Sequence, residues 1–188
     1  MLDDQLAFLT EIDALKGIVR ASPIIDKSRR ENTAEHSWHL AMYALILGEN
    51  TRASVNIDRV IKMLLIHDIV EIDAGDTPIH GTQGLTEQVA LEEAAADRIF
   101  GILPKKQGEA LCALWHEFEA ANTEDAKFAK ALDRLQPLIQ NVETGGGTWS
   151  ESEVTEEQVH ERYGPTIQTG SVVLWKKAKE LVSKHFSS

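Results

Sequence analysis

Lys62-Met-Leu-Leu-Ile-His-Asp-Ile-Val-Glu-Ile-Asp-Ala-Gly-Asp76 sets an imidazole and a carboxylate inside an apolar run. Met63, Leu64, Leu65 and Ile66 precede His67 and Asp68; Ile69 and Val70 follow. Helical spacing puts Leu64, His67 and Glu71 on one face, with Asp68 on its adjoining edge. Two carboxylates and an imidazole therefore point to the side where a core belongs. A buried carboxylate without a partner costs on the order of several kcal/mol after relaxation. A cation, a salt bridge or a metal must compensate. For this pair alone, a core histidine beside a salt-bridged aspartate is the simpler reading. Two other places in the chain offer partners and change the balance.

The first is the segment His36-Ser-Trp-His-Leu-Ala-Met-Tyr-Ala-Leu-Ile-Leu47, a helix that Thr33 is expected to cap with Glu35 in its first turn. It carries His36 and His39 at i and i+3. His36 lies in the first turn, while His39 reads as a core residue or as a group behind the site. The second is the helix opened by Thr123 and Glu124, with Phe128, Ala131, Leu132, Leu135 and Ile139 as its apolar stripe. Asp133 interrupts the edge of that stripe. Pro137, one turn on, cannot donate to the Asp133 carbonyl and predicts a kink.

The rest of the chain reads as helices joined by short loops. Residues 2–19 form an amphipathic pattern through Leu2, Leu6, Leu9, Ile12, Leu15 and Val19. Residues 21–32 read as a polar loop, in which Arg29 and Arg30 are either surface charges or an anion clamp. Asn56 caps the helix that carries His67, and Gly75 suits its left-handed end. Asp76 and Thr77 hang at the lip of whatever His67 and Asp68 face. His80 reads as a loop histidine rather than a ligand.

Thr86 opens a helix that stops at Gly101, and Pro104 opens the next. There His116-Glu-Phe-Glu119 lacks the second histidine of a zincin. Thr144-Gly-Gly-Gly-Thr148 lacks the Lys-Ser/Thr of a phosphate loop and reads as a connection. Thr155 with Gln158 makes a capping box, and Gly164-Pro165 is expected to open the terminal helix. No period-two strand stands out. The expectation is an all-α single domain over 1–188 with about seven to nine helices, a motif core near 33–142 and a helical extension near 150–186.

Composition limits the partners. Of the 188 residues, 43% are hydrophobic and 26% charged, an ordinary globular balance. Nineteen basic against 30 acidic residues give a net charge of −11. Such a surface repels polymeric nucleic acid and anionic membranes, so any phosphate must be drawn in locally. The single cysteine, Cys112, permits no internal disulfide and reads as a small buried hydrophobe. The acidic N-terminus lacks a basic leader region, which points to the cytoplasm.

His36, His67, Asp68 and Asp133 thus stand where apolar residues should be, on three separated helices. Two histidines with two aspartates suit Mn, Co, Fe, Ni or Zn better than Ca. Four protein ligands leave positions open for water and substrate, and Glu71 can serve as general acid or base.

This combination resembles the HD-domain metal-dependent phosphohydrolases, an all-α superfamily. The match is carried by Arg29-x-x-Asn-Thr-Ala-Glu-His-Ser37, by His67-Asp-Ile-Val-Glu-Ile-Asp-Ala-Gly-Asp-Thr77 and by Ala126-Lys-Phe-Ala-Lys-Ala-Leu-Asp133. Within the superfamily it is most similar to the 5'-deoxynucleotidases and their eukaryotic relatives, over residues 6–142. The resemblance implies a divalent cation (Co, Mn, Mg, Zn, Ni or Fe) on His36, His67, Asp68 and Asp133, and a homodimer. It implies that Asp68 orients the attacking water, that Glu71 is the catalytic acid/base and that Asp76 with Thr77 holds the deoxyribose. Arg20 becomes a phosphate contact, with Arg29 a second candidate. Bacterial members place a tryptophan where this chain has Ala21, and the loop to His36 is one residue longer here. The expected activity is hydrolysis of nucleoside 5'-monophosphates. Another small phosphoester or a pyrophosphorylated nucleotide is the alternative substrate, and a non-catalytic metal-stapled binding protein the alternative class.

Overall fold

The computed structural model describes residues 1–52, 54–77 and 85–187. All longer elements among them are helices: α1 (Leu2–Glu11), α2 (Thr33–Leu47), α3 (Ile57–Ile66), α4 (Glu71–Ala74), α5 (Leu85–Phe100), α6 (Lys105–Ala120), α7 (Glu124–Glu143), α8 (Gly147–Glu151), α9 (Glu156–Gly170) and α10 (Val172–Phe186). The readings placed on residues 78–84, His80 among them, lie outside the described residues. No helix among the described residues is long and apolar enough to cross a membrane.

Two apolar clusters make the core. One joins α2, α3, α7, α9 and α10 through Leu40, Met63, Leu64, Phe128, Leu132, Tyr163, Ile167 and Val182. The other joins α1, the α3–α4 turn, α5 and α6 through Phe8, Ile66, Ile69, Val70, Ile99, Phe100 and Trp115. Met63 and Leu64 belong to the first and Ile66 to the second, so His67 sits at the seam. Helices α9 and α10, expected as an extension, supply much of the first cluster.

Several elements depart from the sequence reading. The pattern over 2–19 is not one helix: α1 ends at Glu11, a 3-10 turn covers Ile12–Gly17, and Leu2, Leu6 and Leu9 are exposed. The segment read as a polar loop holds a small antiparallel pair, β1 (Val19–Pro23) and β2 (Arg30–Asn32), with Val19 opposite Asn32 and Pro23 opposite Arg30. Strands this short carry too little alternation to be seen in sequence. Asn32, not Thr33, caps α2, in a reciprocal capping box with Glu35.

The helix carrying His67 breaks there. Residues 67–70 form turns before α4 begins at Glu71, and Gly75 (φ +77°) ends α4 as expected. Gly164-Pro165 lies inside α9 rather than opening α10, which Ser171 caps instead. A Cβ on Gly164 would come within 2.7 Å of the Trp175 ring, so this glycine serves close helix packing. Pro137 stays within α7.

Candidate metal centre

Three parts of the chain deliver the site. His36 comes from the first turn of α2, His67 and Asp68 from the break after α3, and Asp133 from the middle of α7. His36, His67 and Asp133 are 0%, 2% and 7% exposed, deep enough that their polar atoms need partners. Ligand atoms of these three all lie within 4.8 Å of one another. Asp68 completes the ring: its Oδ1 is 3.0 Å from His67 Nε2 and its Oδ2 3.8 Å from His36 Nε2. Asp133 Oδ1 is 3.1 Å from His36 Nε2 and 3.5 Å from His67 Nε2.

The hydrogen bonding of the rings bears on what the cluster could hold. His67 Nδ1 donates to the Leu64 carbonyl at 2.9 Å, which makes Nε2 the nitrogen that bears the lone pair in the neutral ring. That buried Nε2 has no hydrogen-bond partner, although two carboxylates stand beside it. They are close in distance but poorly aligned for a hydrogen bond. Once the ring sheds its second proton, nitrogen and oxygen lone pairs converge there, an arrangement suited to a cation. Two imidazoles and two carboxylates suit a borderline divalent metal, so the residues present fit such an ion.

The charges are strongly coupled. Burial opposes a charged His67, but Asp68 and Asp133 override it and hold the ring's pKa at about 10. Burial would raise Asp68, yet His67 and Arg20 bring it to about 2. Asp133 lies well below the usual carboxylate range: Arg134, His36 and His67 outweigh its burial. Glu71 goes the other way. Burial and the neighbouring Asp68 push it up to about 9, and Thr33 Oγ1 donates to its Oε2 at 2.8 Å. A buried glutamic acid that keeps its proton near neutral pH is equipped as a general acid.

Arg20, on β1, reaches into the same space. Its Nη1 lies 3.2 Å from Asp68, 3.2 Å from Asp76 and 3.8 Å from Glu71, and its Nε 3.7 Å from Glu31. Asp76 also accepts from the Ala21 backbone, and burial raises its pKa. Strand β1 thus brings Arg20 and Asp76 to the rim of the cluster. Arg29 is not brought there. Its guanidinium is exposed and held by Glu35 in a two-pronged pair, at 2.6 and 2.8 Å, because the capping glutamate faces the hairpin turn. Arg30 pairs with Glu151. Thr77 is half-buried beside Asp76, with no hydrogen bond to the cluster among the described residues. His39 is half-buried between Trp38 and Tyr43, with its Nδ1 3.4 Å from Gln136 Nε2.

Sequence reading missed Glu31, Gln136 and Gln140, which are 3%, 1% and 4% exposed. Glu31 Oε1 accepts from both glutamines at 3.0 Å, and Gln136 Oε1 lies 3.1 Å from His36 Nδ1. A signal was present for the glutamines: Asp133, Gln136 and Gln140 recur at i, i+3 and i+7, a polar stripe on the inward side of α7.

Two histidines and two aspartates drawn from separated parts of the chain onto one point define the class, a helical domain around a cluster that could hold a divalent metal. Comparison with known proteins names the particular lineage. The chain belongs to the HD-domain family, whose model matches residues 12–175. It is 30% identical over 136 residues to the 5'-deoxynucleotidase HDDC2 of Mus musculus, covering 72% of this chain and 67% of that one. It is 28% identical over 148 residues to the 5'-deoxynucleotidase of Erwinia tasmaniensis, covering 73% and 74%. A crystal structure from Magnetospirillum magnetotacticum MS-1, described as a predicted metal-dependent phosphohydrolase, superposes with a TM-score of 0.92. That protein is 50% identical, with 98% of this chain and 94% of that chain covered.

Proposed function

We propose that this chain is a metal-dependent phosphohydrolase that cleaves nucleoside 5'-monophosphates, deoxyribonucleotides foremost, to nucleoside and phosphate. The observation that carries it is the buried, unbonded Nε2 of His67 facing two carboxylates and the ring of His36. The 5'-deoxynucleotidases among its relatives support the substrate class.

In this reading His36, His67, Asp68 and Asp133 hold the ion. A divalent cation there supplies polarisation of a phosphoryl oxygen and a lowered pKa for a neighbouring water. Asp68 accepts a hydrogen bond from the attacking water and aims it at phosphorus. The Arg20 guanidinium, already inside the site, turns its N–H groups from the carboxylates to the phosphate oxygens. As the bond from phosphorus to the 5'-oxygen breaks, Glu71 gives its proton to the leaving oxygen. Asp76, at the rim, accepts a hydrogen bond from a sugar hydroxyl.

A panel of 5'-deoxyribonucleotides, 5'-ribonucleotides, 3'-deoxyribonucleotides and an aryl phosphate tests this, with EDTA and then with Co, Mn, Mg or Zn. Metal-dependent phosphate release confined to 5'-substrates supports the reading. No release from any 5'-nucleotide by metal-loaded protein overturns it, and preference for other phosphoesters removes the sugar role of Asp76.

A homodimer belongs to the same proposal. Trp38, Leu45 and Ile46 on the outer face of α2 are 62%, 59% and 64% exposed, an apolar stripe that suits a second copy. Light scattering of the purified protein decides it. A cytoplasmic location, suggested by a chain with one cysteine, is tested by fractionating the source cells.

A further inference from the structure

Behind the metal centre lies a buried carboxylate that touches no ligand-facing atom. Glu31 leaves β2 one residue before the cap of α2 and is 3% exposed. Its surroundings consist of donors on both sides. Oε1 accepts from Gln136 Nε2 and from Gln140 Nε2, each at 3.0 Å. Oε2 has no hydrogen-bond partner but faces Arg20 Nε at 3.7 Å and His36 Nδ1 at 3.6 Å. A carboxylate accepts at both oxygens, whereas an amide must turn a donor to one side.

The direction of the Gln136 amide follows. Only its NH2 group can donate to Glu31, so its Oε1 is the atom 3.1 Å from His36 Nδ1. The second Nε2 hydrogen points to His39 Nδ1 at 3.4 Å, which favours the same orientation. With acceptors on two sides, His36 Nδ1 carries a hydrogen. Its Nε2, facing Asp133 and Asp68, then keeps the lone pair.

We propose that Glu31 is a positioning residue for the metal centre: by orienting Gln136 it fixes which nitrogen of His36 faces the ion. The inference rests on the metal-dependent reading above. The same carboxylate also stands behind Arg20, so one buried group steadies the ring that holds the ion and the guanidinium at the rim. Partners of this kind behind metal-bound histidines typically change metal affinity by about 10–100-fold.

The test measures Co²⁺ affinity by chelator competition for the full chain and for Glu31→Gln, Glu31→Asp and Gln136→Leu, alongside metal-free thermal unfolding. Glu31→Gln places an amino group against donors whichever way it turns, and affinity should fall about 10–100-fold. Glu31→Asp keeps acceptors on both sides and should recover part of the loss. Gln136→Leu should match the Gln variant, and it decides the matter if Glu31→Gln does not fold. The ring ¹⁵N shifts of His36 should report Nδ1–H in the parent and a mixture of tautomers in Glu31→Gln. Unchanged affinity in both Glu31→Gln and Gln136→Leu overturns the inference and leaves the proposed function standing. A parent chain that binds no divalent ion overturns both.

Discussion

Among the buried polar side chains of helix α7, Asp133 and Asn141 stand about 12 Å apart along the axis. They are built to opposite ends. Asn141, 1% exposed, is satisfied from within. Its Nδ2 donates to the Pro137 carbonyl at 2.8 Å, and its Oδ1 accepts from Thr148 Oγ1 at 2.9 Å and Trp149 N at 3.3 Å. The triple glycine wraps around it with Gly145, Gly146 and Gly147 all at positive φ. A Cβ on Gly147 would stand 2.8 Å from Asn141 Oδ1. Asp133 turns one oxygen out to the Arg134 guanidinium at 3.0 Å, but its Oδ1 faces the ring nitrogens of His36 and His67, which carry lone pairs in the neutral rings. Both residues are inaccessible, so burial does not separate structure from chemistry. What separates them is whether the partners are donors or further acceptors.

Asp133→Asn should have the largest effect. The amide keeps the shape and removes the charge the cation needs, so phosphate release should fall more than about a thousandfold. The parent should gain about 2.7 kcal/mol of stability at a metal concentration 100 times its Kd. Asp133→Asn should gain none of it by thermal unfolding. A metal-dependent rise in Tm that survives in Asp133→Asn would erase the distinction between the two ends of α7.

Glu71→Gln comes next and divides the site itself. The amide cannot give up a proton to the leaving oxygen, so kcat should drop about 10²–10⁴-fold. Co²⁺ affinity should stay within a few-fold, because the proposed site sets Glu71 beside the ligands rather than among them. Equal losses of binding and turnover would make it part of the ion's shell.

Asn141→Ala is the reciprocal test. It strands the Thr148 hydroxyl and the Trp149 amide, which costs about 2–3 kcal/mol of stability, or several degrees in Tm. The metal-dependent increment in Tm should remain whole on the lowered baseline. If Asn141→Ala loses metal as readily as Asp133→Asn, the two regions are one network.

A fourth test is one of pH and needs no substitution. The His67 ring, with its pKa at about 10 in the metal-free protein, must shed a proton before it can hold an ion. Below that pH, each unit downward should weaken metal binding about tenfold, and affinity should climb between pH 6 and 9. A flat titration over that range would remove His67 from the ligand set.

The sequence exposed the centre through its interruptions: His36, His67, Asp68 and Asp133 each break an apolar stripe, and Glu71 follows at His67 + 4. It hid the support. Glu31 sits among charged neighbours in a stretch whose two strands have five and three residues, so nothing marks it as inward. Arg20 entered only through family likeness, because an arginine after a helix reads as surface until β1 folds it back over Asp76. The break after Ile66 was also silent. Trp115 Nε1 donates to the His67 carbonyl at 3.0 Å from 48 residues away, a tertiary contact that local propensity cannot see. Gly164-Pro165 misled for a related reason, since the glycine answers to Trp175 on the next helix.

The spacing of the ligands has a further consequence. His36 and Asp133 are 97 positions apart in a chain whose one cysteine can form no internal bridge. An ion gripped by both is a removable cross-link, closing a long loop between segments that otherwise meet only on folding. A chelator would therefore do more than silence the centre. It would remove the binding free energy that the ion adds to the folded state alone, so proteolytic resistance and turnover should rise and fall together with the supply of metal.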